Sequence, residues 1–176
     1  TQGVMALVKP PVWALDQLFA RPALTVVLDA IQDPGNAGNI CRTAEAFGAS
    51  GIIFSKGTVS PFNSKTLRAS AGSLFRLPFV AGVEPQAVHA TLRRRQLAVY
   101  AAMPRGKHSI AETDLTGPLA LVIGSEGQGV SPLLQDLAAG VRIPTQAVES
   151  LNAAMAAGIV LYEAARQRNA SNKAWA

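Results

Sequence analysis

Leu119-Ala120-Leu121-Val122-Ile123-Gly124-Ser125-Glu126-Gly127-Gln128-Gly129-Val130-Ser131-Pro132 is the stretch on which the fold turns. Residues 119–123 are apolar without a break, so a strand here is buried on both faces. Glycines follow at once. Ser131 and Pro132 then suit the N-cap and the first position of a helix. Strand, glycine loop and helix in succession form the unit of an α/β sheet, whose buried strands run parallel beneath helices. The alternation continues in both directions. Upstream, the pattern predicts strands over 24–28, 51–54 and 97–102, with helices over 37–47 and 85–96. Ile40, Ala44 and Phe47 share one side of the first helix. Downstream it predicts a helix over 132–138, a short strand over 141–143 and a long Ala-rich helix over 151–168. No internal repeat is visible. The expected fold class is α/β, with a mostly parallel sheet covered by helices on both faces.

Composition narrows the partners. The 176 residues are 49% hydrophobic and 15% charged, which excludes disorder throughout and permits a sizeable core. No apolar run is long enough to span a bilayer and no signal pattern opens the sequence, so no membrane partner is expected. Cys41 is the sole cysteine, which rules out an internal disulfide and makes a reducing cytoplasm the expected location. His89, His108 and Cys41 are too scattered for a zinc site, so no metal is expected. The net charge of +5 favours a polyanion such as a nucleic acid. Arg93-Arg94-Arg95 is the densest basic run. It ends a helical pattern and reads first as a solvated terminus that offsets the helix dipole. The opening, residues 1–8, reads like a strand without neighbours, broken by Lys9-Pro10-Pro11. Residues 1–23 are therefore expected to be a linker or the remnant of an upstream domain. The main domain is expected over 24–168, with a polar tail over 169–176.

Ligands of α/β sheets bind beyond the carboxyl ends of the strands. Three loops at such places stand out. Asp33-Pro34-Gly35-Asn36 leads into the helix that carries Arg42, and Asn36 suits its N-cap. Taken alone, this loop reads as a turn plus cap, with Arg42 paired to Glu45 three residues on. The second loop, residues 124–130, has the wrong spacing for a dinucleotide fingerprint and no Walker-type lysine. Glu126 would repel a polyphosphate, whereas a carboxylate among free amides suits a ligand with hydroxyl or cationic groups, such as a nucleoside sulfonium. A tight turn with glycines for geometry alone fits the same residues. In the third loop, from Ile143-Pro144-Thr145 to Ser150-Leu151-Asn152, Ser150 is suited to cap the long helix and Asn152 falls in its first turn. A capped Ala-rich helix explains this loop equally well.

The three loops in this order carry a resemblance. Residues 33–48 (Asp33-Pro34-Gly35-Asn36 through Arg42-Thr43-Ala44 to Gly48), residues 121–130, and Ile143-Pro144 followed by Ser150-Leu151-Asn152 are similar to the three motifs of the SpoU/TrmH family. These are trefoil-knotted RNA ribose methyltransferases of the SPOUT class. Residues 65–78 also look like the family, and the similarity spans 24–168. Thr145, Ala147 and Ala153 depart from the residues common there.

The resemblance implies a parallel α/β sheet with a deep C-terminal trefoil knot, and an enzyme that methylates a ribose 2′-hydroxyl in structured RNA. S-adenosylmethionine is the implied donor and no metal is needed. The opening residues favour rRNA over tRNA. A homodimer is implied, and the small residues Ala153, Ala154, Ala156, Ala157 and Gly158 of the last helix are expected to allow its close packing. The implied donor site uses Gly124, Ser125, Glu126, Gly127, Ile143, Pro144, Leu151 and Asn152. The implied catalytic set is Asn36, Arg42, Glu126, Ser150 and Asn152. A guanidinium with a pKa above ~12 is a poor base, so Arg42 is read as fixing phosphate and stabilising the developing alkoxide. Asn36 would orient the ribose or Arg42. Glu126 would hold the site by hydrogen bonds, with a role as proton acceptor as the alternative. Ser150 and Asn152 would support the loop. A catalytically inactive RNA-binding module on the same fold is the competing reading, and the joint presence of the five residues argues against it.

Overall fold

In the computed structural model, which describes residue 3, residues 7–20 and residues 22–172, strands and helices alternate along the chain. They are β1 (Leu24–Asp29), α1 (Pro34–Ala46), β2 (Gly51–Ser55), α2 (Ser64–Ala69), β3 (Phe79–Val83), α3 (Pro85–Arg94), β4 (Ala98–Ala102), β5 (His108–Ser109), β6 (Leu119–Gly124), α4 (Pro132–Leu137), β7 (Ala139–Arg142) and α5 (Ala153–Asn172). The seven strands form one sheet in the order β3-β2-β1-β6-β4-β7-β5, and every pairing is parallel. The parallel sheet with helices on both faces is therefore as expected. The strand anticipated over 1–8 lies largely outside the described residues. Helix α5 begins two residues later than expected and continues to Asn172, into the stretch expected to be a polar tail.

The central strands explain why the layers form. All six residues of β1 are buried, and alternate ones serve opposite faces. Val26 and Leu28 pack with Ile52, Phe54, Leu121 and Ile123 under α1 and α5. Val27 packs with Ile53, Ala120 and Val122 under α3 and α4. Each fully buried apolar side chain contributes about 1.5–3 kcal/mol. The short 3-10 turn Leu15–Phe19 adds Leu18 and Phe19 to the second layer. Arg95 lies 4.9 Å over the Phe19 ring and pairs with Asp16. The basic run is thus divided, with Arg93 and Arg94 exposed at the helix end and Arg95 holding the turn. Cys41 is buried within the first layer, and burial pushes its thiol up to about 12.

One feature of the sheet order governs the C-terminal third. Strands β4 and β5 follow each other in sequence, yet β7 lies between them. Residues 103–107 must therefore cross the carboxyl end of β7. Met103 N donates to Val141 O at 2.9 Å, and Arg142 Nη1 donates to Lys107 O at 2.9 Å. At Gly106 a side chain would meet the Val141 backbone at 2.5 Å, so only glycine allows the crossing. Residues 113–117 then return beneath α5. Gln167 Nε2 donates to Thr113 O at 3.0 Å, and Arg168 Nη2 donates to Gly117 O at 2.6 Å. Helix α4 packs on α3, whereas α5 packs on α1 across the sheet. Between α4 and α5 the chain thus passes by way of β7 from one face of the sheet to the other. This strand order and change of face are consistent with the implied trefoil knot.

Candidate active site

The carboxyl ends of β1 and β6 lie side by side, with Asp29 in register with Gly124. This brings the Asp33–Asn36 turn next to the glycine loop. Asp33, not Asn36, caps α1. Its Oδ1 accepts from Asn36 N at 2.7 Å, and Pro34 occupies the first turn. Both side chains can cap, but proline belongs directly after the cap, which selects Asp33. Asp33→Ala is expected to lower stability by about 0.5–2 kcal/mol in urea unfolding. An unchanged midpoint would show that the helix end is held otherwise.

Freed from capping, the Asn36 carboxamide joins a ring of three side chains. Asn36 Nδ2 donates to Glu126 Oε1 at 3.1 Å. Asn152 Nδ2 donates to Glu126 Oε1 at 2.8 Å and to Asn36 Oδ1 at 3.0 Å. Ala153 N adds a longer contact of 3.5 Å to the same carboxylate oxygen. Asn152 Oδ1 accepts from Ala154 N at 2.9 Å and Met155 N at 3.2 Å, so Asn152 itself caps α5. This corrects the expectation that Ser150 caps the helix and that Asn152 sits inside its first turn. Ser150 is exposed and, among the described residues, makes no side-chain hydrogen bond.

The glycine loop folds back on itself. Ser125 N donates to Gly129 O at 3.1 Å, and Gly129 N donates to Ser125 O at 2.8 Å. Gly129 takes a φ of +69°, which favours glycine. Asp29, only 2% exposed, anchors the loop's exit by accepting from Ser131 N at 2.6 Å. Ser55 Oγ donates to the other Asp29 oxygen at 3.3 Å. Sequence reasoning passed over Asp29. Its signal was an acid closing an otherwise apolar strand.

Two cavities meet at this loop. The larger has a volume of about 650 Å³ and extends from Met103 and Arg105 past Ile123 to Leu151. The smaller, about 300 Å³, lies between residues 30–36 and the glycine loop. Ser125, Glu126 and Ala153 line both, so they form the shared wall. Of the expected donor residues, Gly124, Ser125, Glu126, Ile143, Leu151 and Asn152 line the larger cavity, as does Ser150. Gly127 lines only the smaller one, and Pro144 lines neither. Thr145 borders the larger cavity with its hydroxyl turned onto its own loop, donating to Val148 O at 2.8 Å.

Arg42 stands apart from the ring. It is exposed on α1, lines neither cavity and, among the described residues, has no hydrogen bond or ion pair. The anticipated pair with Glu45 does not form. Glu45 instead takes a bidentate grip from Arg76, at 2.5 and 2.7 Å, and the Arg76 hydrogen bond holds its carboxyl below the usual range. Arg42 is thereby left available. Among the described residues, no three His, Cys, Asp or Glu side chains gather as a metal site, and no helix is long and apolar enough to cross a membrane.

Comparison with known proteins matches this architecture. The model of the SpoU rRNA methylase family matches residues 23–162. An uncharacterised tRNA/rRNA methyltransferase of Synechocystis is 39% identical over 90% of this chain and 60% of its own length. The 23S rRNA (guanosine-2′-O-)-methyltransferase RlmB of Pseudomonas putida is 35% identical over 95% of this chain and 71% of its own. The crystal structure of the SpoU methyltransferase AviRb from Streptomyces viridochromogenes, in complex with AdoMet, superposes with a TM-score of 0.84 at 36% identity. That match covers 90% of this chain and 63% of AviRb. The chain belongs to the SpoU rRNA methylase family. It spans under two thirds of the Synechocystis relative and of AviRb.

Proposed function

We propose that this chain transfers a methyl group from S-adenosylmethionine to a ribose 2′-hydroxyl of structured RNA, rRNA in preference to tRNA. The observation that carries the reading is the Asn36–Glu126–Asn152 ring, set in the wall between two cavities. The larger cavity fits the donor. Its volume lies in the range of small-molecule sites, Ile123, Ile143 and Leu151 supply apolar walls, and a carboxylate stands at its edge. A sulfonium cation suits that carboxylate, and a polyphosphate does not. The AdoMet complex of AviRb and the 2′-O activity in the name of RlmB support the same choice. The net charge of +5 suits an RNA partner in the cytoplasm.

The donor supplies an electrophilic methyl carbon and a neutral thioether leaving group. As the bond from carbon to the ribose oxygen forms, the bond to sulfur breaks, and the hydroxyl proton must leave. Glu126 Oε1 is occupied by the two asparagines, which orient the carboxylate. Its second oxygen has no donor among the described residues, and it receives the proton. Arg42 fixes the neighbouring phosphate and offsets charge developing on the ribose oxygen. Holding the reactants in line supplies about 7–11 kcal/mol of the barrier. The experiment is isothermal calorimetry with the demethylated donor, joined to mass spectrometry of nucleosides from RNA treated with the full chain. Donor-product binding together with a 2′-O-methylnucleoside is expected. A methylated base with unmodified ribose would overturn the reading.

A homodimer is also proposed, on a different basis from the small residues. Ala153 and Ala157 are buried within this chain's own core, and Gly158 lies against Thr43. The outward face of α5 instead presents Met155, Ile159 and Tyr162, spaced as one helical stripe and 62%, 36% and 46% exposed. Ile159→Glu is expected to shift the light-scattering mass from dimer to monomer at micromolar concentration. A wild-type monomer under the same conditions would refute the dimer.

A further inference from the structure

The smaller cavity has a use that follows from which of its polar groups are already engaged. Two segments line it, residues 30–33 with Asn36, and residues 125–128, with Ala153 at the base of α5. Ala30 adopts a φ of +56°, an uncommon conformation for a residue with a side chain, and this turns Ile31, Gln32 and Asp33 along one wall. Asp33 Oδ1 is occupied by capping. Both ends of the Asn36 carboxamide are occupied in the ring. Ser125 Oγ accepts from Gln128 N at 3.3 Å. Besides the second oxygens of Asp33 and Glu126, the lining side chains Gln32 and Gln128 have exposed carboxamides with no partner among the described residues. They belong to different segments, and Glu126 stands in the wall beside them.

We propose that this cavity takes the base and ribose of one unstacked nucleotide, and that Gln32 and Gln128 read the edge of its base. The inference rests on the ribose-methylation reading above. A carboxamide offers one acceptor and two donors, and this matches the adjacent donor and acceptor that a base edge displays. A cavity of about 300 Å³ admits one nucleotide and no paired helix. The substrate is therefore an unpaired position in a loop, bulge or single strand, whose base is free to swing out. The 2′-oxygen then lies against the wall shared with the donor cavity, next to Glu126. Gln32 and Gln128 touch the base and not the reacting atoms, so they decide which nucleotide is methylated and leave the donor site unchanged.

The test uses the full chain and protein-free rRNA from a host deleted for its gene. Each reaction is digested and the four 2′-O-methylnucleosides are quantified, for wild type, Gln32→Ala, Gln128→Ala and the double variant. Wild type is expected to methylate one base almost alone. Each single variant is expected to lose roughly tenfold in kcat/KM on that base, as for one lost edge contact. The share of the other three bases should rise in each variant and most in the double one. Binding of the demethylated donor should stay within about twofold. Annealing a DNA strand over the mapped nucleotide should block wild-type turnover. A fall in rate with the base distribution unchanged would overturn the proposal, because a structural role lowers all four products together. Unchanged rates, loss of donor-product binding in the variants, or continued methylation of the annealed site would overturn it as well. If wild type yields no 2′-O-methylnucleoside at all, the ribose-methylation reading fails and takes this inference with it.

Discussion

Arg42→Ala is expected to lower ribose methylation a hundredfold to a thousandfold while leaving donor-product binding intact. Asn36, in the first turn of α1, is fixed to Glu126, and Arg42 follows it six residues later, about 9 Å along the helix axis. Its guanidinium is exposed and unpaired among the described residues, because Glu45 is held by Arg76 instead. A cation with that freedom is available to a phosphate and to charge growing on the attacking oxygen. Losing one such transition-state contact costs about 2.7–4 kcal/mol. Arg42→Lys should recover little, since an ammonium does not reproduce the planar fork that grips a phosphate. Folding should hardly change, because among the described residues Arg42 makes no hydrogen bond or ion pair that would be lost. Single-turnover kinetics with saturating donor provides the measurement. Near-normal turnover by Arg42→Ala would take Arg42 out of the reaction and leave Glu126 as the group on which the chemistry depends.

Gly124→Ala is expected to abolish donor-product binding in calorimetry and to cost about 1–3 kcal/mol of stability. A side chain at Gly124 would stand 2.1 Å from the Gly129 carbonyl carbon and 2.3 Å from Val130 N. Both are backbone atoms and have no rotamer by which to yield. The methyl group would force open the Ser125–Gly129 pair and carry Glu126 away from Asn36 and Asn152. Gly127 provides the control in the same loop. A side chain there meets nothing within 4 Å, and its φ is not positive, so Gly127→Ala should change stability by less than about 0.5 kcal/mol and keep donor-product binding. Equal behaviour of the two variants would show that the loop has no closed form to protect.

The legible parts of the fold were those whose signal is local and doubled. Residues 24–28, 51–54 and 119–123 are mostly apolar and buried on both faces, and such strands announce themselves. Strand β3 did not, because Ala81 and Gly82 are exposed and only its first residue is fully buried. Strand β5 has two residues and owes its existence to pairing with β7. Two of the three expected helix caps, those of α1 and α5, fall on the other residue of a suitable pair, whereas Ser131 stands at the N-cap of α4 as expected. For α1 the proline after Asp33 held the answer. For α5 the choice between Ser150 and Asn152 is settled by the pull of Glu126, 26 residues away in sequence. The resemblance supplied the members of the site. Their geometry came only with the structure, since Asn36 lies 90 residues from Glu126 and 116 from Asn152. Only the register of β1 with β6 and the return of α5 across the sheet bring them together.

The insertion of β7 between β4 and β5 also sets an order of manufacture. A ribosome delivers the chain from its amino end at about 5–20 residues each second. The partners of β1, β2, β3 and β6 all emerge before residue 139, so most of the sheet is able to pair while synthesis continues. The final strand then takes its place between two that were made before it. Ile143, Leu151 and Asn152 come only with this last portion, and Ala153 joins the two cavities. A nascent chain stalled before β7 would have Asn36, Arg42 and Glu126 and still lack the far wall of the larger cavity. Fragments released before β7 are therefore expected to bind no methyl donor.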